Sequence, residues 1–341
     1  MATNQNRFTE PHLKIWDDLW GGLWRAQALA AALEFDLFTR IEAGDNTVAK
    51  LAAAWEASER GTKSLLDAMT GMGYLQKSKD QSYRLRPDAR KFLVRSEPLY
   101  MGDLGQVGNL LMMAWTTLPD AVRRGGRATP ERSPQEVAQF FSALVPAIFT
   151  FNFIGAKAAV SQIPSATRRQ IKRILDVGAG AAPWSIPFAS AIKGARVTVI
   201  DFPEVTQITR KFTERWNVAD QYDYREGDYH EVDFGTEQFD AVIFGHIIHS
   251  EGADEGRKLI ERAYRALRER GLLVIGEFVP NDERTGPELP LLFGLNMLIN
   301  TACGDVFTMP EYHEWLRAAG FAKVSQIEIP AFSPLILASK G

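Results

Sequence analysis

Apolar residues recur every four positions between Trp24 and Ile41, at Leu29, Leu33, Leu37 and Ile41, the spacing that aligns one face of an α-helix. Two further apolar-periodic stretches follow at Val48–Trp55 and Lys63–Met72, the second stopped where Gly73 would serve as a C-cap. The period then changes to two: Tyr74–Lys77 and Ser82–Leu85 alternate across the polar turn Ser78-Lys79-Asp80-Gln81, which reads as a β-hairpin. Three helices closed by a hairpin predict a winged helix, a fold that serves DNA binding in some proteins and dimerisation in others. From Met101 to Ile163 the pattern is helical again, broken at Gly125-Gly126, Pro130 and Pro134, with rings clustered at Phe140, Phe141, Phe149, Phe151 and Phe153. Such a stripe is ordinary core packing, or the wall of a pocket for a planar apolar substrate.

Beyond Arg173 strands alternate with helices. The predicted strands are Arg173–Val177, Arg196–Ile200, Asp223–Glu226, Ala241–Phe244, Leu272–Glu277, Ala322–Glu328 and Ser333–Ser339, with a helix over Arg257–Glu269 ending at Gly271. This order gives an α/β fold with a doubly wound, mostly parallel sheet and one antiparallel edge strand, whose ligands bind at the carboxyl ends of the strands. The expected domains are residues 1–100, the winged helix, and residues 101–341, a helical connector leading into the α/β domain.

Composition narrows the functions available. Among 341 residues, 39 Lys and Arg against 42 Asp and Glu leave a net charge of -3, which makes nucleic acid an unlikely partner. Arg84, Arg86, Arg90 and Lys91 read equally as a solvated face. Cys303 is the single cysteine, so a disulfide or cysteine-rich zinc site is impossible within one chain, and a cytoplasmic setting fits. No basic stretch leads into an apolar core after Met1, and the apolar runs look shorter than the ~20 residues of a membrane span, so neither a secretory leader nor a membrane partner is expected. His12, His230 and His313 show no metal-ligand spacing, and no metal is expected.

Three strand ends carry chemistry. Ile174-Leu175-Asp176-Val177-Gly178-Ala179-Gly180-Ala181-Ala182 is a buried strand running into a glycine turn, where backbone N–H groups can approach a ligand closely. Ala182 and Pro183 stand where a dinucleotide site has its third glycine. The next strand ends in Asp201, a carboxylate placed to accept two ribose hydroxyls. The third ends in Glu226-Gly227-Asp228-Tyr229, an acceptor for an adenine amino group beside a ring that can stack on the base.

With Gly245 to His249 after an apolar strand, Gly276-Glu277, Met297-Leu298 and Ala319-Gly320-Phe321, this ordered series resembles the S-adenosylmethionine-dependent O-methyltransferases of the caffeate and hydroxyindole type. The resemblance covers nearly the whole chain and implies a Rossmann-like methyltransferase sheet, an N-terminal dimerisation domain, a homodimer, S-adenosyl-L-methionine as cofactor and a small aromatic or polyketide-like substrate. It further implies that Gly178, Gly180, Phe202 and Gly245 line the cofactor site, that Asp201 holds the ribose and that Asp228 and Tyr229 lie at the adenine. The family's catalytic histidine falls at His249, with Glu277 as the acid that orients it; an imidazole suits a general base because it titrates near neutrality. His246 and His249 each also have a structural reading as hydrogen-bonded histidines. Phe149, Phe153, Asn296, Met297 and Asn300 are the expected substrate contacts. Ser250-Glu251 stands where the family commonly has Asp-Trp, and Val306 where it has a second carboxylate. Those departures keep a second reading open, in which the cofactor is bound for carbon methylation or as an electrostatic element of another reaction.

Overall fold

A computed structural model describes residues 10–130, 134–332 and 334–341, with the side chains of residues 106, 134, 135 and 138 left aside. Ser333, expected at the start of the last strand, and residues 1–9 lie outside the described residues. The chain divides into two compact units, one ending at Met112 and the other spanning Met113–Gly341.

The first unit is helical. Helices α1 (Pro11–Trp16), α2 (Gly22–Glu34), α3 (Leu37–Glu42), α4 (Val48–Ala54) and α5 (Glu59–Gly71) precede strands β1 (Leu75–Lys77) and β2 (Tyr83–Leu85), which pair antiparallel; α6 (Pro87–Leu93) and α7 (Leu104–Trp115) follow. The single helix expected over Trp24–Ile41 is two, because Asp36 takes a left-handed conformation (φ 52°) between them. Leu33, Leu37 and Ile41 remain buried across the break, so the four-residue spacing marks the buried face correctly but not the helix axis. Ser58 Oγ caps α5 by accepting from Gly61 N at 3.1 Å, and Gly73 (φ 85°) lies just beyond its end.

The second unit holds α8 (Leu118–Arg124), α9 (Pro134–Gln162), α10 (Ser165–Gln170), β3 (Arg173–Val177), α11 (Ser185–Ala191), β4 (Arg196–Asp201), α12 (Pro203–Arg215), β5 (Tyr222–Glu226), β6 (Phe239–Gly245), α13 (Ile248–Ala266), β7 (Leu267–Gly276), α14 (Glu288–Asn300), α15 (Met309–Ala318), β8 (Lys323–Ile327) and β9 (Leu335–Ser339). The seven strands order as β5-β4-β3-β6-β7-β9-β8, with β9 antiparallel to both its neighbours and the other pairs parallel. This is a mostly parallel, Rossmann-like methyltransferase sheet. β3 and β6 are its buried centre: Ile174, Leu175, Val177, Val242 and Phe244 are fully enclosed.

Two expectations are corrected. Residues 267–269 belong to β7 rather than to the preceding helix: Glu237 N and Gln238 N donate to the carbonyls of Arg265 and Ala266, ending α13 there, and buried Leu267 pairs with Phe239. Second, residues 139–162 of α9 are long and apolar enough, at a mean hydropathy of 1.6, to cross a membrane by length and composition. More than half of that stretch, 56%, is buried, and α9 packs on α11 and α12 as a core helix. Pro134 starts this helix and Pro146 sits within it without ending it.

Candidate active site

The glycine turn follows β3 directly. Gly178 and Gly180 both have left-handed φ, 60° and 57°, and a Cβ on Gly178 would lie 2.8 Å from Ile247 and 3.5 Å from the Tyr229 ring. Ala182, at the place of the third glycine, adopts φ 57° and is fully buried. The turn is tied to the next strand by Asp201: its Oδ2 accepts from Gly180 N and its Oδ1 from Phe202 N, each at 2.8 Å. Burial pushes the Asp201 carboxyl up to about 6, against the pull of those two N–H groups. Each oxygen keeps a lone pair, so the carboxylate can still accept two more hydrogen bonds.

Asp228, Tyr229 and His230 are fastened to the first turn of α13. Tyr229 Oη donates to Glu251 Oε1 at 2.5 Å, and His230 bridges two carboxylates, with Nε2 2.6 Å from Glu251 Oε2 and Nδ1 2.6 Å from Asp228 Oδ1. Arg262 completes the clasp by donating to the carbonyls of Tyr229 and Val232, both at 2.7 Å. Glu251, which departs from the family's usual residue, thus holds the loop that presents Asp228 and Tyr229.

Across β6 the sheet end carries the histidines. His249 lies in the first turn of α13, and its Nδ1 is 2.6 Å from Glu277 Oε2, while its backbone N–H donates to Glu277 Oε1 at 3.2 Å. Burial pushes the Glu277 carboxyl up, but the interaction with His249, through its ring and its backbone N–H, outweighs it and holds the acid below its usual value. A hydrogen bond from Nδ1–H to this carboxylate leaves His249 Nε2 as the accepting nitrogen. His246, at φ 64°, is anchored by its backbone N–H to the Gly276 carbonyl at 2.8 Å; burial pulls its imidazole down to about 4, so it is neutral. His246, His249 and Glu277 bring potential metal-ligating atoms within 4.8 Å of one another, a cluster the residue spacing does not reveal.

The structure distributes the expected substrate residues differently. Phe149 and Phe153 stack on each other at 5.2 Å and pack against Phe212 and Trp216 between α9 and α12, away from the histidines. Asn296 Oδ1 accepts from Trp115 Nε1 at 3.3 Å and from Asn300 Nδ2 at 3.2 Å, and Met297 is buried. On the same helix, Phe293 meets the His249 ring edge-on at 4.8 Å and stacks on Phe278 at 4.0 Å. Trp184 lies across the ends of β6 and β7: a Cβ on Gly245 would fall 2.2 Å, and one on Gly276 2.4 Å, from its indole. A cavity beside it is lined by Phe151, Asn152, Trp184, His246, Glu277, Phe278 and Phe332, among others. Sequence reading missed Trp184, Asn152, Phe278 and Phe293; the signal available for Asn152 was an amide set between Phe151 and Phe153.

Comparison with known proteins gives this geometry a context. Residues 131–322 match the family profile of the O-methyltransferase domain, and residues 17–95 that of the O-methyltransferase dimerisation domain. The 3-hydroxy-5-methyl-1-naphthoate 3-O-methyltransferase of Streptomyces sahachiroi is 29% identical over 315 residues, covering 91% of this chain and 90% of that one. Human acetylserotonin O-methyltransferase is 27% identical over 342 residues, covering 96% and 97%. A solved structure of PigF with S-adenosylhomocysteine superposes with a TM-score of 0.80 at 26% identity, covering 96% of this chain and 99% of that one.

Proposed function

The chain belongs to the O-methyltransferase family, and from that premise we propose that it methylates a hydroxyl of a small planar aromatic or polyketide-like molecule, with His249 as general base and Glu277 as its positioning acid. The cofactor is S-adenosyl-L-methionine, which supplies an electrophilic methyl group on a sulfonium. The residues present fit an adenosyl group: a glycine turn with no side chain in the way, a buried carboxylate with lone pairs to spare at Asp201, and an acid beside a ring at Asp228-Tyr229. Phe202 and Gly245 border the same strand ends.

The observation that carries the reading is the buried 2.6 Å contact between His249 Nδ1 and Glu277 Oε2 at the sheet end that also bears the glycine turn. Nε2 takes the proton of the acceptor hydroxyl as its oxygen becomes a nucleophile, and Glu277 balances the positive charge that His249 then carries. Phe278 and Phe293 flank the imidazole and keep water from it. We place the working protein as a homodimer built on its N-terminal unit, in a reducing cytoplasm that suits a lone thiol.

Calorimetric titration with S-adenosylhomocysteine tests the cofactor site. Wild type binds, and Asp201→Ala weakens binding ten-fold or more; equal affinities would remove Asp201 from the site. Incubation of wild type with S-adenosyl-L-methionine and a panel of phenols and naphthols yields methyl ethers and S-adenosylhomocysteine, and consumption of acceptor without S-adenosylhomocysteine would replace methyl transfer by other chemistry.

A further inference from the structure

Three of the residues lining the cavity beside Glu277 carry buried polar atoms without a partner: Asn152 Oδ1 on α9, Trp184 Nε1 after the glycine turn and His246 Nδ1 at the end of β6. Asn152 and Trp184 are 6% and 4% exposed. Buried polar atoms are nearly always satisfied in folded proteins, so three orphans on one cavity point to a ligand group that satisfies them. The enclosed part of the cavity admits about one water-sized group, the size of a single hydroxyl.

Its chemistry selects that group. The Trp184 N–H only donates, and Asn152 Oδ1 only accepts. A hydroxyl does both at once, accepting from the indole and donating to the amide. His246, held neutral by burial, can take either part. The group is uncharged, because the buried Glu277 carboxylate lines the same cavity and its Oε2 lies 3.9 Å from His246 Nδ1. Phe151, Phe278 and Phe332 stand within 24° of parallel beside it, a flat apolar wall suited to an aromatic ring.

The cavity is also on the acceptor's side of the site. The groups expected to hold the cofactor nucleoside follow β3, β4 and β5, and none of Gly178, Gly180, Asp201, Asp228 and Tyr229 lines it. Its lining comes from the ends of β6 and β7, from α9, from the segment joining β8 to β9 and, through Trp184 alone, from the turn after β3. We propose that Asn152, Trp184 and His246 form a subsite for a second, neutral hydroxyl on the aromatic acceptor, beside the His249–Glu277 pair, an inference that rests on the methyl-transfer reading above.

The test is calorimetric titration of the full chain, saturated with S-adenosylhomocysteine, with 2-naphthol, the dihydroxynaphthalene isomers and hydroxynaphthoates. At least one diol binds ten-fold or more tightly than 2-naphthol, no carboxylate matches it, and in Asn152→Leu and in Trp184→Phe the ratio of diol to 2-naphthol affinity collapses to within two-fold of one. Trp184→Phe keeps an aromatic ring in place while removing the N–H together with the second ring of the indole, so it serves even where Asn152→Leu does not fold. Equal affinities in wild type, a preference that survives both substitutions, or a carboxylate binding more tightly than every diol would overturn the subsite. So would a loss of S-adenosylhomocysteine affinity in folded Asn152→Leu, which would assign the cavity to the cofactor. A wild type that discriminates diols in this way but transfers no methyl group would sink the catalytic reading and support the subsite.

Discussion

His249 and Glu277 are 28 residues apart in the chain and meet because β6 and β7 run parallel in register, with Gly245 opposite Gly276, so that both loops leave the sheet at one level. A carboxylate buried this deeply is tolerated only with hydrogen bonds to it, and the ring and backbone of His249 supply two. If His249 takes the acceptor's proton, His249→Ala lowers kcat by about 10²–10⁴, the usual worth of a positioned base. Its affinity for S-adenosylhomocysteine stays within two-fold, since the nucleoside groups lie beyond β6. Glu277→Gln keeps the shape but removes the charge that balances the imidazolium, and kcat falls ten-fold or more with KM for the acceptor changing little. Steady-state release of S-adenosylhomocysteine, with calorimetry on each variant, separates these effects; parallel losses of kcat and cofactor affinity in His249→Ala would remove it from the chemistry.

At the scale of elements, α13 carries His249 on a short turn cut off from the body of the helix by Gly252, whose φ of 75° and ψ of 176° belong to glycine alone. A Cβ there would lie 2.6 Å from the Cys303 carbonyl, and the turn is held from the other side by Asp305 N donating to His249 O at 2.9 Å. Gly252→Ala therefore destabilises the fold by about 1–3 kcal/mol through backbone strain alone and shifts His249 from Glu277. Urea unfolding and turnover on the same sample check it: unchanged stability would mean that the kink relaxes freely. The break was not foreseen, because the predicted helix began only at Arg257, beyond Gly252. Strand positions were legible, because β3 carries the apolar Ile174, Leu175 and Val177 between a charge at Arg173 and the glycine turn at Gly178. The junction of α13 and β7 was not, since Leu267 suits a helix face and a strand equally and only its pairing with Phe239 decides. Likewise Asp201 and Glu277 could be read from strand ends, whereas Trp184 reaches Gly245 and Gly276 by a tertiary crossing that no local spacing encodes.

At the scale of the whole molecule, an apolar surface near the start of the described residues stays uncovered. Along α1, the π-helical segment Asp17–Gly21 and the first turn of α2, Trp16, Leu19, Trp20 and Trp24 are 46%, 66%, 50% and 54% exposed. The indoles form one cluster, Trp16 meeting Trp24 edge-on at 5.1 Å and Trp20 within 6.0 Å of Trp24. Soluble monomers rarely expose so many large apolar side chains together, and tryptophans are the side chains that dominate the energetics of protein interfaces. These residues span the start of the region, 17–95, that matches the family's dimerisation domain. A second copy of the chain is the partner that the match supplies, and a net charge of only -3 offers little long-range repulsion to keep two copies apart. Sedimentation equilibrium should then give twice the 38.1 kDa chain mass for wild type. Trp20→Ser with Trp24→Ser should give the single chain mass with helix content retained, because both side chains face solvent within the chain and removing them opens no cavity. A double variant that sediments as a dimer would mean that the seam lies elsewhere in the unit, whereas a wild type of single chain mass would mean that the exposed indoles serve another partner.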